Sequence, residues 1–142
     1  MLSGLTVLTE LGIGSNPVSD LSPISGLELK ELYAFMCRIS DISALTGMIS
    51  LEQLTLGHNN ISDISPLAGM TALYYLDITY NNISDISPLA GLTALTELWL
   101  LGNNVTDISA LAGLPLEFAD LTDNPISDWS PVASVPEVYG RP

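Results

Sequence analysis

An asparagine, replaced once by cysteine, returns in this chain at an almost constant interval: Asn16, Cys37, Asn59, Asn81, Asn103 and Asn124 stand 21, 22, 22, 22 and 21 residues apart. Aligned on it, six segments read "LTELGIGSNPVSDLSPISG" from Leu8, "LKELYAFMCRISDISALTG" from Leu29, "LEQLTLGHNNISDISPLAG" from Leu51, "LYYLDITYNNISDISPLAG" from Leu73, "LTELWLLGNNVTDISALAG" from Leu95 and "LEFADLTDNPISDWSPVAS" from Leu116. Units this short cannot bury an apolar side alone. They must stack so that each repeat contacts only its neighbours, which makes the chain a solenoid.

Each unit has a local reading. The run Glu97-Leu98-Trp99-Leu100-Leu101 alternates with period two, as a short strand with one buried face does, and stacking such runs produces a parallel sheet. The form L-x-x-L-x-L-x-x-N/C-x-L is the leucine-rich repeat signature. The asparagine falls where the chain leaves the strand. Its amide can satisfy backbone groups of its own turn and of the next, so the six anchor positions are expected to form a structural ladder. Cys37 replaces asparagine as a small, weakly donating group. On the convex side "DISPLAG" allows one turn of 3₁₀ helix, with Ser22, Ser65, Ser87 and Ser130 expected as N-caps and the following proline at the first helical position. The expected fold is an α/β solenoid, a parallel concave β-sheet with short 3₁₀ turns on the convex side. It forms a single domain of about six repeats over residues 1–142.

Composition limits the partners. Sixteen acidic residues against three basic ones give a formal net charge of −13, and no Lys/Arg cluster is present, so nucleic acid and anionic lipid are excluded as natural ligands. With 47% hydrophobic but only 6% aromatic residues, the core must be aliphatic. Cys37 is the only cysteine, so no intrachain disulfide can form. The start "MLSGLTVL" resembles "PLAGLTAL" at 88–95, as though the chain opens in the middle of a repeat, and "VYGRP" falls about where a seventh strand would lie. The chain is therefore expected to be a segment of a longer protein. No run is long enough for a membrane span.

Little in the sequence points to catalysis, to a cofactor or to a metal. Asp20, Asp41, Asp63, Asp85, Asp107 and Asp128 form a file at one register, read as acceptors that tie down the convex turns. A calcium stripe and a glycosidase-like carboxylate pair are the competing readings, but calcium takes six to eight oxygens and a regular file sets no pair apart. His58, the only histidine, is read as a surface residue. Asn60-Ile61-Ser62, Asn82-Ile83-Ser84 and Asn104-Val105-Thr106 match the glycosylation pattern as a by-product of the repeat.

The outward strand positions are not dictated by the scaffold. In register they read Glu10, Glu31, Gln53, Tyr75, Glu97, Phe118; then Gly12, Tyr33, Thr55, Asp77, Trp99, Asp120; then Gly14, Phe35, Gly57, Thr79, Leu101, Thr122. Tyr75, Trp99, Leu101 and Phe118 are expected to cluster on the concave face, with Asp77, Glu97 and Asp120 around them. Tyr33 and Phe35 form a secondary group bordered by Glu10 and Glu31. Exposed aromatics ringed by carboxylates suit a protein ligand with a basic surface. A structural or spacer segment is the alternative, drawn from the identical "NNISDISPLAG" at 59–69 and 81–91.

The register N-x-I-x-D-I-x-P-L-x-x-L, carried by "NNISDISPLAGM" and "NNISDISPLAGL", resembles the bacterial internalin-like subgroup of leucine-rich repeat proteins, whose 22-residue units are also similar to the SDS22-like class. The resemblance implies a curved solenoid used for non-catalytic protein recognition, often at or outside a bacterial cell surface. It also implies partner contact through concave aromatics and charges, a role open here to Tyr75, Asp77, Trp99, Leu101, Phe118 and Asp120. The helical N-terminal cap, immunoglobulin-like flank and wall anchor usual in that group are not recognisable in these residues.

Overall fold

The computed structural model describes residues 7–142. The expectation about the opening "MLSGLTVL" rests mainly on residues 1–6, which lie outside the described residues. Seven three-residue strands, β1 (Glu10–Gly12), β2 (Glu31–Tyr33), β3 (Gln53–Thr55), β4 (Tyr75–Asp77), β5 (Glu97–Trp99), β6 (Phe118–Asp120) and β7 (Glu137–Tyr139), form one parallel sheet in chain order. Between them run six 3₁₀ turns, from Ser22–Ile24 to Ser130–Val132, which return the chain on the convex side.

The register keeps each column of like residues together: Leu11, Leu32, Leu54, Leu76, Leu98, Ala119 and Val138 are consecutive partners. The five from Leu32 to Ala119 are wholly buried, as are Ile39, Ile61, Ile83 and Val105 from the far side of the coil. A buried leucine or isoleucine contributes roughly 2 kcal/mol of transfer free energy. Because one continuous cluster spans Leu21 to Val135, that contribution is shared between neighbouring repeats and none of them holds it alone.

The asparagine ladder joins the repeats. Asn81 donates to the carbonyls of Leu56, Ile78 and Thr79 and accepts the N–H of Ile61, so one side chain serves three backbone carbonyls and an amide. Asn59 and Asn103 repeat the pattern and all three are buried. Asn124, half-buried, accepts from Val105, whereas the side-chain amide of exposed Asn16 donates to the carbonyls of Ile13 and Gly14, within its own turn. Cys37 reproduces the donor half alone, its thiol facing the carbonyls of Ile13 and Phe35. The Val18 amide, which an asparagine there would receive, turns instead to the carbonyl of Asn16.

The convex turns correct the capping expectation. Ser22, Ser65, Ser87 and Ser130 are the first residues of the turns; Leu21, Ile64, Ile86 and Trp129 stand at the cap position, and no cap makes a side-chain bond. The prolines follow the serines inside the turn. The capping role passes to the aspartate two residues before each serine, whose Oδ1 accepts the serine N–H at 2.8 to 2.9 Å in all six repeats. A carboxylate is the stronger acceptor, and the two-residue reach is that of an Asx turn.

One backbone feature recurs without a signal in residue type. The residue just before each ladder position is left-handed: Ser15, Met36, His58, Tyr80 and Asp123 have φ between 49° and 60°, and Gly102 has 70°. The amides of Ser15, Met36, His58, Tyr80 and Gly102 stay inside the inter-repeat bonding, as with Met36 N–H to Gly57 and Tyr80 N–H to Leu101. The sheet ends at β7, held by a close approach: Gly140 has φ 96°, and a Cβ there would lie 2.6 Å from the Thr122 nitrogen.

Candidate functional site

Alternation within three-residue strands sends the middle residue inward and its neighbours outward, and burial follows: the flanking residues of β2 to β6 are half-buried around a buried centre. Two outward columns result. The first joins Glu10, Glu31, Gln53, Tyr75, Glu97, Phe118 and Glu137; the second joins Gly12, Tyr33, Thr55, Asp77, Trp99, Asp120 and Tyr139. These are the first two of the three columns read from the sequence, extended by one strand; the third, from Gly14 to Thr122, lies two residues beyond the strands.

Three aromatic side chains of these columns stack in sequence. Trp99 packs on Phe118 with ring centroids 4.6 Å apart, and Phe118 packs on Tyr139 at 5.7 Å, so the rings form a diagonal row across β5, β6 and β7. Tyr75 lies on the other side of Glu97 in the first column, and burial together with the charges of Asp77 and Glu97 pushes its hydroxyl pKa up. Leu101 is half-buried two residues beyond Trp99. None of Tyr75, Trp99, Leu101, Phe118 or Tyr139 belongs to the aliphatic cluster. Tyr139 went unread in the sequence. The run "EVY" repeats the "ELY" and "ELW" of β2 and β5 and carried that signal.

Those three runs share a local bond. Tyr33 OH donates to Glu31, Trp99 Nε1 donates to Glu97 at 2.8 Å, and Tyr139 OH donates to Glu137 at 2.9 Å. In each case strand alternation puts donor and carboxylate side by side on the outer face. The bond to Glu31 raises the Tyr33 pKa to about 12, and the bond to Glu137 raises that of Tyr139. Asp77 and Asp120 flank Trp99 within its column, and each also works locally. Asp77 Oδ1 accepts from the Thr79 N–H and hydroxyl, and Asp120 Oδ1 from the Thr122 N–H. Gly57 leaves room for the first of these, since a Cβ there would lie 2.7 Å from the Thr79 hydroxyl oxygen.

The two residues of the secondary pair each have a further partner. Tyr33 is tied to Glu31, while Phe35, 39% exposed, lies against Gly14, where a Cβ would come within 2.5 Å of its ring. At the neighbouring left-handed positions His58 stacks on Tyr80 at 4.6 Å, and the Tyr80 ring reaches over Gly102. The exposed His58 agrees with its sequence reading; the stack on Tyr80 went unread because neither residue belongs to the strand columns. Among the described residues no three of His, Cys, Asp and Glu come together to hold a metal ion, and no helix is long and apolar enough to cross a membrane.

A parallel sheet of stacked repeats with an asparagine ladder defines a class, and the chain belongs to it. The family described as "Leucine Rich repeats (2 copies)" matches residues 27–69 and 71–113, more than half of the chain, and the protein is a member of the leucine-rich repeat family. Within that family it is related to bacterial internalins. It is similar to an internalin (inlF) of Listeria monocytogenes, at 41% identity and a TM-score of 0.91 over 95% of this chain and 41% of that one. It is similar also to internalin C2 (inlC2) of the same organism, at 41% identity and a TM-score of 0.87 over 96% of this chain and 63% of that one. A leucine-rich repeat protein of Leptospira interrogans shares the fold at 23% identity and a TM-score of 0.85, with 95% of this chain and 37% of that one covered. The chain thus spans less than two thirds of the length of each. No curated protein matches it.

Proposed function

We propose that the chain is a non-catalytic protein-recognition module that takes a protein ligand on the outer, concave face of its sheet. Trp99 is the anchor, with Phe118, Tyr75 and Leu101 completing the contact. The observation that carries this reading is the packing of Trp99 on Phe118 outside the aliphatic core, where neither ring serves the stack of leucines. Aromatic side chains held on a rigid face are the usual energetic centre of a protein interface. Asp77, Glu97 and Asp120 around them favour a partner with a basic surface. The relation to internalins supports a place at or outside a bacterial cell surface and a longer parent chain.

The alternative, a spacer segment, is favoured by the identical stretches at 59–69 and 81–91. Those residues lie on the ascending loop and convex side, whereas the outward strand columns differ from repeat to repeat. Affinity capture from a host-cell surface extract, with parent and Trp99→Ala side by side, separates the two. The recognition reading expects a specific protein retained by the parent and weakened roughly 30-fold by Trp99→Ala, while the melting curve is nearly unchanged. Equal retention by both proteins would give the spacer reading first place.

A further inference from the structure

The row of rings from Trp99 through Phe118 to Tyr139 has a carboxylate beside every member. Glu97 is bonded to Trp99, Glu137 is bonded to Tyr139, and Asp120 is set between Trp99 and Tyr139 by the register. We infer that this end of the face receives an arginine side chain of the protein partner, its guanidinium laid on the end of the row at Tyr139 and paired with these carboxylates. The inference rests on the recognition reading and names the chemistry of its ligand.

Charge is the first support. The two outward columns carry Glu10, Glu31, Asp77, Glu97, Asp120 and Glu137 and no Lys, Arg or His. Two of the three basic residues are engaged elsewhere, Lys30 with Glu52 at 2.8 Å and Arg141 with the carbonyl of Val132 at 2.6 Å. Arg38 follows the corner at Cys37, away from the strands. A ligand that covered the rings without bringing a cation would leave carboxylates desolvated and unpaired, which is costly. A second copy of the chain, with its own net charge of −13, is a poor occupant for the same reason.

Geometry selects the cation. The polar edges of Trp99 and Tyr139 already donate to Oε1 of Glu97 and of Glu137. Phe118 is packed between Trp99 and Tyr139, so what remains to a ligand is the exposed surface of the end ring, Tyr139, and the second carboxylate oxygens, which have no hydrogen-bond partner among the described residues. A planar guanidinium uses both at once, stacking on an aromatic surface while donating in its own plane to carboxylates; an ammonium is a compact, more strongly hydrated point charge without that planar fork, and engages the two together less well.

The test compares capped hexaarginine with capped hexalysine, equal in charge and length, titrated calorimetrically into the whole chain at about 0.15 M salt. Hexaarginine is expected to bind roughly tenfold more tightly. Tyr139→Ala and, independently, Glu137→Gln should each remove most of that preference while changing hexalysine affinity much less. Both residues are exposed, so the variants are expected to melt with the parent. Equal affinity of the two peptides for the parent, or a preference that survives both substitutions, overturns the inference. If Trp99→Ala still releases the captured protein while no arginine preference exists, the recognition reading stands and only the arginine is lost. If Trp99→Ala retains the captured protein, both fall.

Discussion

The side-chain carbonyl of Asn81 accepts the backbone N–H of Ile61 at 2.9 Å, so each repeat supplies the acceptor that its predecessor lacks. Removing it strands that amide in a buried corner, while the carbonyls of Ile78 and Thr79 keep their bonds from the Asn103 side chain and the His58 N–H. Asn81→Leu is expected to destabilise by roughly 1 to 3 kcal/mol, whereas Ser62→Ala, on the exposed loop, is nearly silent. Urea denaturation of the two variants checks this; coincident curves for Asn81→Leu and the parent would remove the ladder from the account.

Cys37 is the ladder position that supplies a donor and no acceptor, and the Val18 amide bonds to the carbonyl of Asn16. Cys37→Asn restores the missing bond. A gain of about 1 kcal/mol is expected, read as slower amide exchange at Val18 and a higher denaturation midpoint. A loss of stability would mean that the corner cannot take the larger side chain.

Acid should weaken the convex side at a defined point. The N–H of the serine two residues on, with its hydroxyl, holds Asp41, Asp63, Asp85, Asp107 and Asp128 below the ordinary aspartate value of 3.8, and at Asp20 the Ser22 hydroxyl is the larger cause. A carboxyl whose folded pKa is depressed adds stability above its unfolded value and loses it as pH falls through the folded one. Denaturation midpoints are therefore expected to hold steady from pH 7 to about 5 and to drop below about 4. A midpoint that rises toward pH 3 would contradict the hydrogen-bonded carboxylates.

Tyr33 makes a prediction at the opposite end of the scale. Its hydroxyl, donating to Glu31, has its pKa raised from 10.0 to about 12, so this pair stabilises fully below pH 10 and is lost as pH rises toward 12. Ultraviolet titration of the five tyrosines should show Tyr33 ionising last, and Glu31→Gln should bring it back toward 10.0. No change in that variant would exclude the bond.

The near-constant spacing from Asn16 to Asn124 was enough to determine the stacking, the parallel sheet and the membership of each outward column, because a parallel ladder carries register unchanged from one unit to the next. Once Leu98 is inward, Trp99 is outward between Asp77 and Asp120. The buried leucines and the ladder asparagines were legible for the same reason. Tertiary structure alone decided how those columns pack. It set the rings of Trp99, Phe118 and Tyr139 along a diagonal and left Tyr75 beyond Glu97. It moved the cap from Ser65 to Asp63, and it made left-handed residues of Met36, His58 and Tyr80. These outcomes depend on side-chain rotamers and on atoms of neighbouring coils coming within bonding distance. A period in the sequence says which residues become neighbours, and only the packed coils decide which of them touch.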